Sequence, residues 1–430
     1  MKLQYLFFII IFLSVNLAKA NIIRDSEIEE TVNLVVAPLR ETSGLKDLKI
    51  YILDDLVPNA FTAGGNEIFI TSGLIINYPD PDVLRGVVAH EMGHILGHHV
   101  VRRDEVIDNY KKAAIGTTAL GLATAISGAG AEGLAITVGG MHFSERSIYA
   151  YSREFESSAD QTAMRLLNKS SNSVVGLIKF FEKMQLQSSA DSFSQYDQTH
   201  PLNNERLLIL RNFNKKSKFS TSQNNNDIVY KYSRASAKLA AFTVEINKIL
   251  DYKFKNNVDE ITHYMKAIKC FRIGNFNDSL THVDFLVRKH PNDPYYHELK
   301  AQIYFESGKK TALHEYELAE KAKPHDPLIR LGKAIVGMTN HSKNSPVDIY
   351  YKDLLFVLDK EPDNLLALHY LAIYYEQSGL IGKSYLNTAL ISLKSGRISD
   401  ARKMATMAMS NLKKNSPDWY KAGDILEATK

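Results

Sequence analysis

The five residues His90-Glu91-Met92-Gly93-His94 carry the clearest chemistry in the chain. Two histidines four apart on a helix stand one turn apart on one face, so both imidazoles can reach a single ion. Glu91 then falls where it can take a proton from a water that the ion polarises, the general-base role in metal-assisted hydrolysis. A pentapeptide of this kind also arises by chance, and a catalytic metal site needs a third protein ligand and one open position. The best source of that ligand is Ser152-Arg153-Glu154-Phe155-Glu156-Ser157-Ser158-Ala159-Asp160. Glu156 and Asp160 lie one turn apart on a predicted helix, so one carboxylate can bind metal while the other orients a ligand histidine from behind. On spacing alone, a solvated acidic face of Glu154, Glu156 and Asp160 explains the same residues equally well.

The elements that would position these groups follow from periodicity. A helix is predicted from Asp82 to about Asp108, starting at an acidic cap-like position, with Val87, Val88, Ile95 and Leu96 on its other faces. Residues 25–40 read as an amphipathic helix carrying Ile28, Val32, Val35 and Leu39. Leu48–Leu53 and Glu67–Thr71 read as strands, with Asn59, Gly64 and Gly65 supplying turns between them. Helical patterns return over 152–167 and 172–186. Residues 113–140 are mostly Ala, Gly, Thr, Ile and Leu, with Glu132 their only charge. They read as a buried or mobile helical hairpin rather than a membrane span, because the run is glycine-dense and weakly apolar.

A 430-residue chain with 45% hydrophobic and 23% charged residues can bury two cores and is not a disordered composition. Its net charge of +4 is small, and its Lys and Arg are scattered, which excludes a nucleic-acid footprint. Residues 1–20 fit a cleaved signal peptide: Lys2, an apolar run from Tyr5 to Val15, then Ala18-Lys19-Ala20. The mature chain is expected to start at Asn21, outside the cytoplasm. Cys270 is the only cysteine, so no intramolecular disulfide can form, and it reads as a core residue.

The polar run around Lys215-Lys216, Ser220 to Ser222 and Asn224 to Asn226 marks a linker, drawn as 212–235. It separates a domain of 21–211 from one of 236–430. In the second domain, His290-Pro291-Asn292-Asp293-Pro294 recurs as Lys323-Pro324-His325-Asp326-Pro327, with the prolines 33 residues apart. Gly274 and Gly308 are offset by 34, and Glu361-Pro362-Asp363-Asn364, Gly379, Gly396 and Pro417 continue the theme. This is the period of tetratricopeptide helix pairs, which stack to bury their apolar faces.

Together, Asn59-Ala60-Phe61 with Gly64-Gly65, Ile70, Gly73-Leu74, Ala89 to Ile95, His99-Val100, Ser152-Arg153 with Glu156, Ala159 and Asp160, and Thr199-His200-Pro201 with Arg206 resemble a known pattern. It is that of the HtpX-like and CAAX-prenyl-protease-like gluzincin metallopeptidases, in their periplasmic branch with tetratricopeptide repeats. The resemblance covers roughly residues 25–212. It implies His90, His94 and Glu156 as ligands of one Zn2+ per chain, Glu91 as catalytic base and Asp160 as a carboxylate behind the ligands. It also implies that Glu67, Ile68, Phe69, Ile70 and Thr71 form an edge strand that accepts substrate backbone by strand addition. His200 is placed near the active site, either to stabilise the oxyanion or to fill the open metal position as a self-inhibiting ligand. His99 matches a family position and reads as structural, while His98 reads as an extension of the helix beyond the metal face.

The fold class expected is an α+β gluzincin-type metallopeptidase domain followed by an all-α tetratricopeptide-like solenoid. The function expected is a periplasmic zinc endopeptidase that degrades misfolded or stalled envelope and outer-membrane proteins. Its repeats would bind clients or the envelope assembly machinery, and peripheral membrane association is left open. Two rival readings are a chaperone-like scaffold with a dormant metal site and a protease with 113–140 in the bilayer.

Overall fold

The computed structural model describes residues 22–102, 153–188, 196, 200–201, 203–221, 224–252, 254, 258–339 and 348–430. The expected signal peptide and the 113–140 stretch lie outside these residues. The chain divides into two compact units. One comprises Glu30–Thr243 with Phe254–Asn257; the other comprises Met1–Glu29, Val244–Lys253 and Val258–Lys430.

A helix α1 (Ser26–Ser43) runs with Ile28, Val32, Val35, Val36 and Leu39 buried along one stripe. Four short strands follow the order β1-β2-β4-β3 across one sheet: β1 (Ile22–Ile23), β2 (Lys49–Leu53), β3 (Ala60–Phe61) and β4 (Glu67–Thr71). β2 runs parallel to β4 with Tyr51 opposite Phe69, and β3 runs antiparallel to it with Phe61 opposite Phe69. Glu67–Thr71, expected at the edge, is therefore an inner strand. Gly64 and Gly65, with φ of +115° and +62°, turn the chain so that Ala60–Phe61 folds back along it and takes the edge.

Thr71 ends the strand and starts the next element. Its hydroxyl accepts the Asn59 N–H at 2.8 Å and caps helix α2 (Ser72–Asn77) by accepting from Leu74 N–H. The expected long helix is α3 (Pro81–Leu96), begun by the Asp80 side chain accepting from Asp82 N–H with Pro81 in the first turn. It ends at Leu96; residues 99–102 are helical again, and 103–108 lie outside the described residues. Gly97 follows, and His98 adopts a left-handed φ of +53° that a helix cannot contain.

Nearly every residue of α3 is buried, because neighbours cover all its sides. It packs against β3 and β4, against α5 (Val175–Ser188), and against α7 (Asn226–Thr243). Glycines permit the closest approaches. A Cβ on Gly86 would lie 2.6 Å from the Leu177 nitrogen on α5. A Cβ on Gly93 would lie 2.7 Å from the carbonyl oxygen of Ala159, on a helix α4 spanning 153–169. Gly93 thus lets the carboxylate-bearing helix come against the two histidines. Gly93→Ala is expected to cost about 1–3 kcal/mol, as overpacking does, and to lower zinc retention, read by melting temperature and metal content.

Buried Arg85 fixes the other end of α3. Its Nε donates to the Val35 carbonyl at 3.0 Å, Nη1 to Asp82 at 2.9 Å and Nη2 to the Asn224 side chain at 2.9 Å. The linker drawn at 212–235 is corrected by the helices on either side of Asn224. α6 (Asn204–Lys216) continues into it, and α7 fills its second half with Tyr232 to Ala241 buried. The division between units falls at Val244 instead.

Among the described residues, the second unit holds ten helices from Val258 to Ala428, each packed on the next. Cys270, read as a core residue, is only half-buried in the first of them. Gly274, Gly308, Gly379 and Gly396 all take φ of about +70° to +76° after a helix, the left-handed ending that glycine adopts without strain. Asp293 and Asn364 cap the helices that follow the Pro-Asp turns. No helix among the described residues is long and apolar enough to cross a membrane.

Candidate metal centre

α3 presents His90 and His94 on one face with their Nε2 atoms 3.1 Å apart. α4 brings Glu156 against both: its oxygens lie 3.2 Å from His90 Nε2 and 3.3 Å from His94 Nε2. Zinc ligands held about 2.0–2.1 Å from a tetrahedral centre are about 3.3–3.4 Å from one another. The donor set of two imidazoles and one carboxylate, and its spacing, therefore fit one zinc ion. Glu156 is buried, and so is Asp160, which removes the solvated acidic face as an account of them. Glu154 alone stays exposed.

Each ligand is held from behind. Asp160 Oδ1 lies 2.9 Å from His90 Nδ1, leaving Nε2 toward the metal position. His99 Nδ1 lies 3.0 Å from His94 Nδ1 and its ring stacks on Phe155 at 4.6 Å. His99 is thus a support of His94, a role that its place three residues beyond the end of α3 did not reveal. The left-handed His98 turns it back, and Gly97 leaves the room its ring needs. The Gly-His-His sequence after the helix was the available signal.

Burial works against charge throughout the centre, and the partners decide the outcome. Burial lowers and the bonds to Asp160 and Glu156 raise the pKa of His90, which ends at about 10. Burial takes His94 down to about 3, the neutral form that ligates metal. Burial would raise Glu156, but His200 with hydrogen bonds from His200, His90 and His94 holds it well below the usual carboxylate range. Glu91 is pushed up by burial, and among the described residues its two oxygens accept no hydrogen bond. A buried carboxylate without a hydrogen bond beside the metal position is poised to accept a proton.

His200 joins the centre from the loop before α6. Its Nδ1 lies 3.0 Å from Glu156 and 3.4 Å from His90 Nε2, so it closes a fourth corner with the three ligands. Its Nε2 lies 3.6 Å from Glu91. Tyr196 stacks on its ring at 4.7 Å, and the Tyr196 carbonyl accepts its backbone N–H at 2.7 Å. Arg206, in the first turn of α6, binds Asp160 through Nε at 2.6 Å and Nη2 at 2.9 Å, and reaches Glu156 and the Pro201 carbonyl through Nη1. Glu67–Thr71 contributes none of the centre's metal-facing atoms; its neighbour β3 packs against α3.

The order of these blocks can be compared with known proteins. Residues 23–214 match the model of peptidase family M48. Those residues form an M48 peptidase domain. The chain is 22% identical over 255 residues to the beta-barrel assembly-enhancing protease of Escherichia coli (strain K12), covering 57% of this chain and 51% of that protein. It is 22% identical over 293 residues to that of Yersinia pestis, covering 66% and 59%. A protease HtpX homolog of Persephonella marina is 38% identical over 71 residues, 16% of this chain and 24% of that protein. The chain spans about half the length of the first of these relatives. M48 peptidases use zinc, which agrees with the buried His90, His94, Glu156 and His200 cluster of this domain.

Proposed function

We propose that the protein is a zinc-dependent endopeptidase that cuts extended segments of unfolded proteins. The observation that carries this is the buried Glu91 carboxylate, which accepts no hydrogen bond among the described residues, beside three ligands spaced for one ion. His90, His94 and Glu156 would hold the zinc, with Asp160 and His99 orienting the imidazoles. Zinc in that position supplies a Lewis acid for the scissile carbonyl and lowers the pKa of a water. Glu91 takes one proton from the attacking water as its oxygen bonds to the carbonyl carbon. It returns that proton to the amine nitrogen as the C–N bond breaks.

His200 would rest as the fourth ligand and keep the enzyme inactive until a substrate displaces it. Its Nδ1 lies at ligand distance from Glu156 and His90, which favours this over a role in oxyanion binding alone. The helices of the second unit, with their repeated Gly and Pro-Asp turns, fit a tetratricopeptide-like solenoid that binds clients or assembly partners. The name of the E. coli and Y. pestis relatives supports clients among proteins assembling as outer-membrane β-barrels, hence a periplasmic location after removal of residues 1–20. A zinc assay on wild type and His200→Ala tests this reading. Both should bind one zinc per chain, and His200→Ala should cleave casein about tenfold faster, if the closed arrangement lies about 1.4 kcal/mol below the open one. A slower variant would make His200 a catalytic aid, and a protein that binds no zinc would end the metallopeptidase reading.

A further inference from the structure

His200 rests with one face of its imidazole against another ring. Tyr196 stacks on it at 4.7 Å and 26°, while His90 and His94 meet it edge-on at 5.2 Å and 5.0 Å. The two residues lie four apart in the chain, and the Tyr196 carbonyl accepts the His200 N–H at 2.7 Å. The flat contact and the backbone bond together set the plane of the imidazole. Its Nδ1 then lies 3.0 Å from Glu156 Oε1.

Tyr196 is itself held from behind. Its side chain is fully buried, and Phe180 on α5 meets its ring edge-on at 4.8 Å and 86°. Tyr78, at the end of α2, meets Phe180 in turn at 5.1 Å and 63°. The next residue of α5, Phe181, lies under the Arg206 guanidinium at 4.7 Å. α5 thus backs the metal centre with two adjacent rings, one behind Tyr196 and one under Arg206. A ring packed this closely does not follow a neighbour that moves. His200 can therefore leave the metal position only by sliding off Tyr196.

We propose that Tyr196 is the positioning residue of the His200 latch: its ring holds the imidazole in the metal position and sets how readily the latch opens. This rests on the reading of His200 as a resting fourth ligand. The stacked contact exists only in the closed arrangement, so it stabilises that arrangement alone. Offset-stacked rings add to stability beyond the area they bury. Against a closed arrangement favoured about tenfold, losing the stack should raise the open fraction about two- to sixfold.

Release of zinc measures the open fraction without turnover. Full-length protein loaded with one zinc per chain is mixed with an excess of a chromogenic chelator, and the rate of transfer is followed. Tyr196→Leu, which keeps an apolar side chain in the buried place but no flat ring, should release zinc about two- to sixfold faster than the parent. Tyr196→Met, whose flexible chain fills gaps, serves if the leucine variant folds poorly. Tyr196→Phe keeps the ring and should release zinc within twofold of the parent rate. His200→Ala should be about tenfold faster, and Tyr196→Leu added to it should change nothing further, because the latch is already gone. A parent-like rate in Tyr196→Leu beside a fast His200→Ala would remove the role of Tyr196 and leave the latch. Faster release on adding Tyr196→Leu to His200→Ala would mean a general loosening of the centre and overturn the proposal. A parent-like rate in His200→Ala would end the latch reading itself.

Discussion

Replacing Glu91 by Gln is expected to slow peptide-bond cleavage by about a hundred- to ten-thousand-fold, the range for loss of a general base, while one zinc per chain is retained. Glu91 is not a ligand: the metal-facing atoms belong to His90, His94, Glu156 and His200. Its carboxylate is fully buried, accepts no hydrogen bond among the described residues, and is raised in pKa by that burial. An amide of the same shape fits the same space but cannot take the proton. Burying an amide costs less than burying a carboxylate, so the variant should be at least as stable as the parent. Steady-state rates on a quenched peptide, beside metal content, check both halves. A Glu91→Gln protein that lost its zinc would place Glu91 among the ligands instead.

The second large effect concerns stability rather than rate. Arg206 is the cation that compensates two buried carboxylates at once, Asp160 through a two-pronged contact and Glu156 through Nη1. Its guanidinium also lies over the Phe181 ring at 4.7 Å. Removing one partner of a buried charge pair leaves the other uncompensated, at about 3–5 kcal/mol. Arg206→Leu should therefore lower the unfolding free energy of the metal-stripped protein by that amount. The loss should be smaller with zinc, because the ion takes over the charge of Glu156. Arg206→Lys should recover only part of it, since a point charge cannot make the paired contact with Asp160. Urea unfolding with hydrogen exchange at α4 and α6, with and without zinc, measures these differences.

Much of the centre was legible because helical spacing is local information. His90 and His94 had to share a face once α3 was a helix, and the same holds for Glu156 and Asp160 on α4. Spacing alone did not separate those carboxylates from a solvated face; their burial did, and burial is a property of packing. His99 was read only as structural, because its contact with His94 depends on one left-handed residue, His98, that breaks a pattern otherwise read as continuous helix. The edge strand was misplaced because a two-residue strand has no period of its own. Only the Gly64-Gly65 turn marks that Ala60–Phe61 folds back onto Glu67–Thr71.

The linker failed for another reason. Residues 226–243 look polar, yet Ser233, Ala235, Ser236, Ala237, Ala240 and Ala241 are small enough to pack closely, and α7 is buried against α2 and α3. In the second unit the glycine and Pro-Asp turns were readable one by one, since each sits where a left-handed residue or a cap is required.

The most direct test of the metallopeptidase account is casein cleavage by purified residues 21–430 in wild-type and His200→Ala forms, before chelation, after chelation, and after return of one equivalent of zinc. The account predicts cleavage that chelation abolishes and zinc restores, faster in His200→Ala. Cleavage indifferent to chelation, or casein left intact by both zinc-loaded proteins, would contradict it.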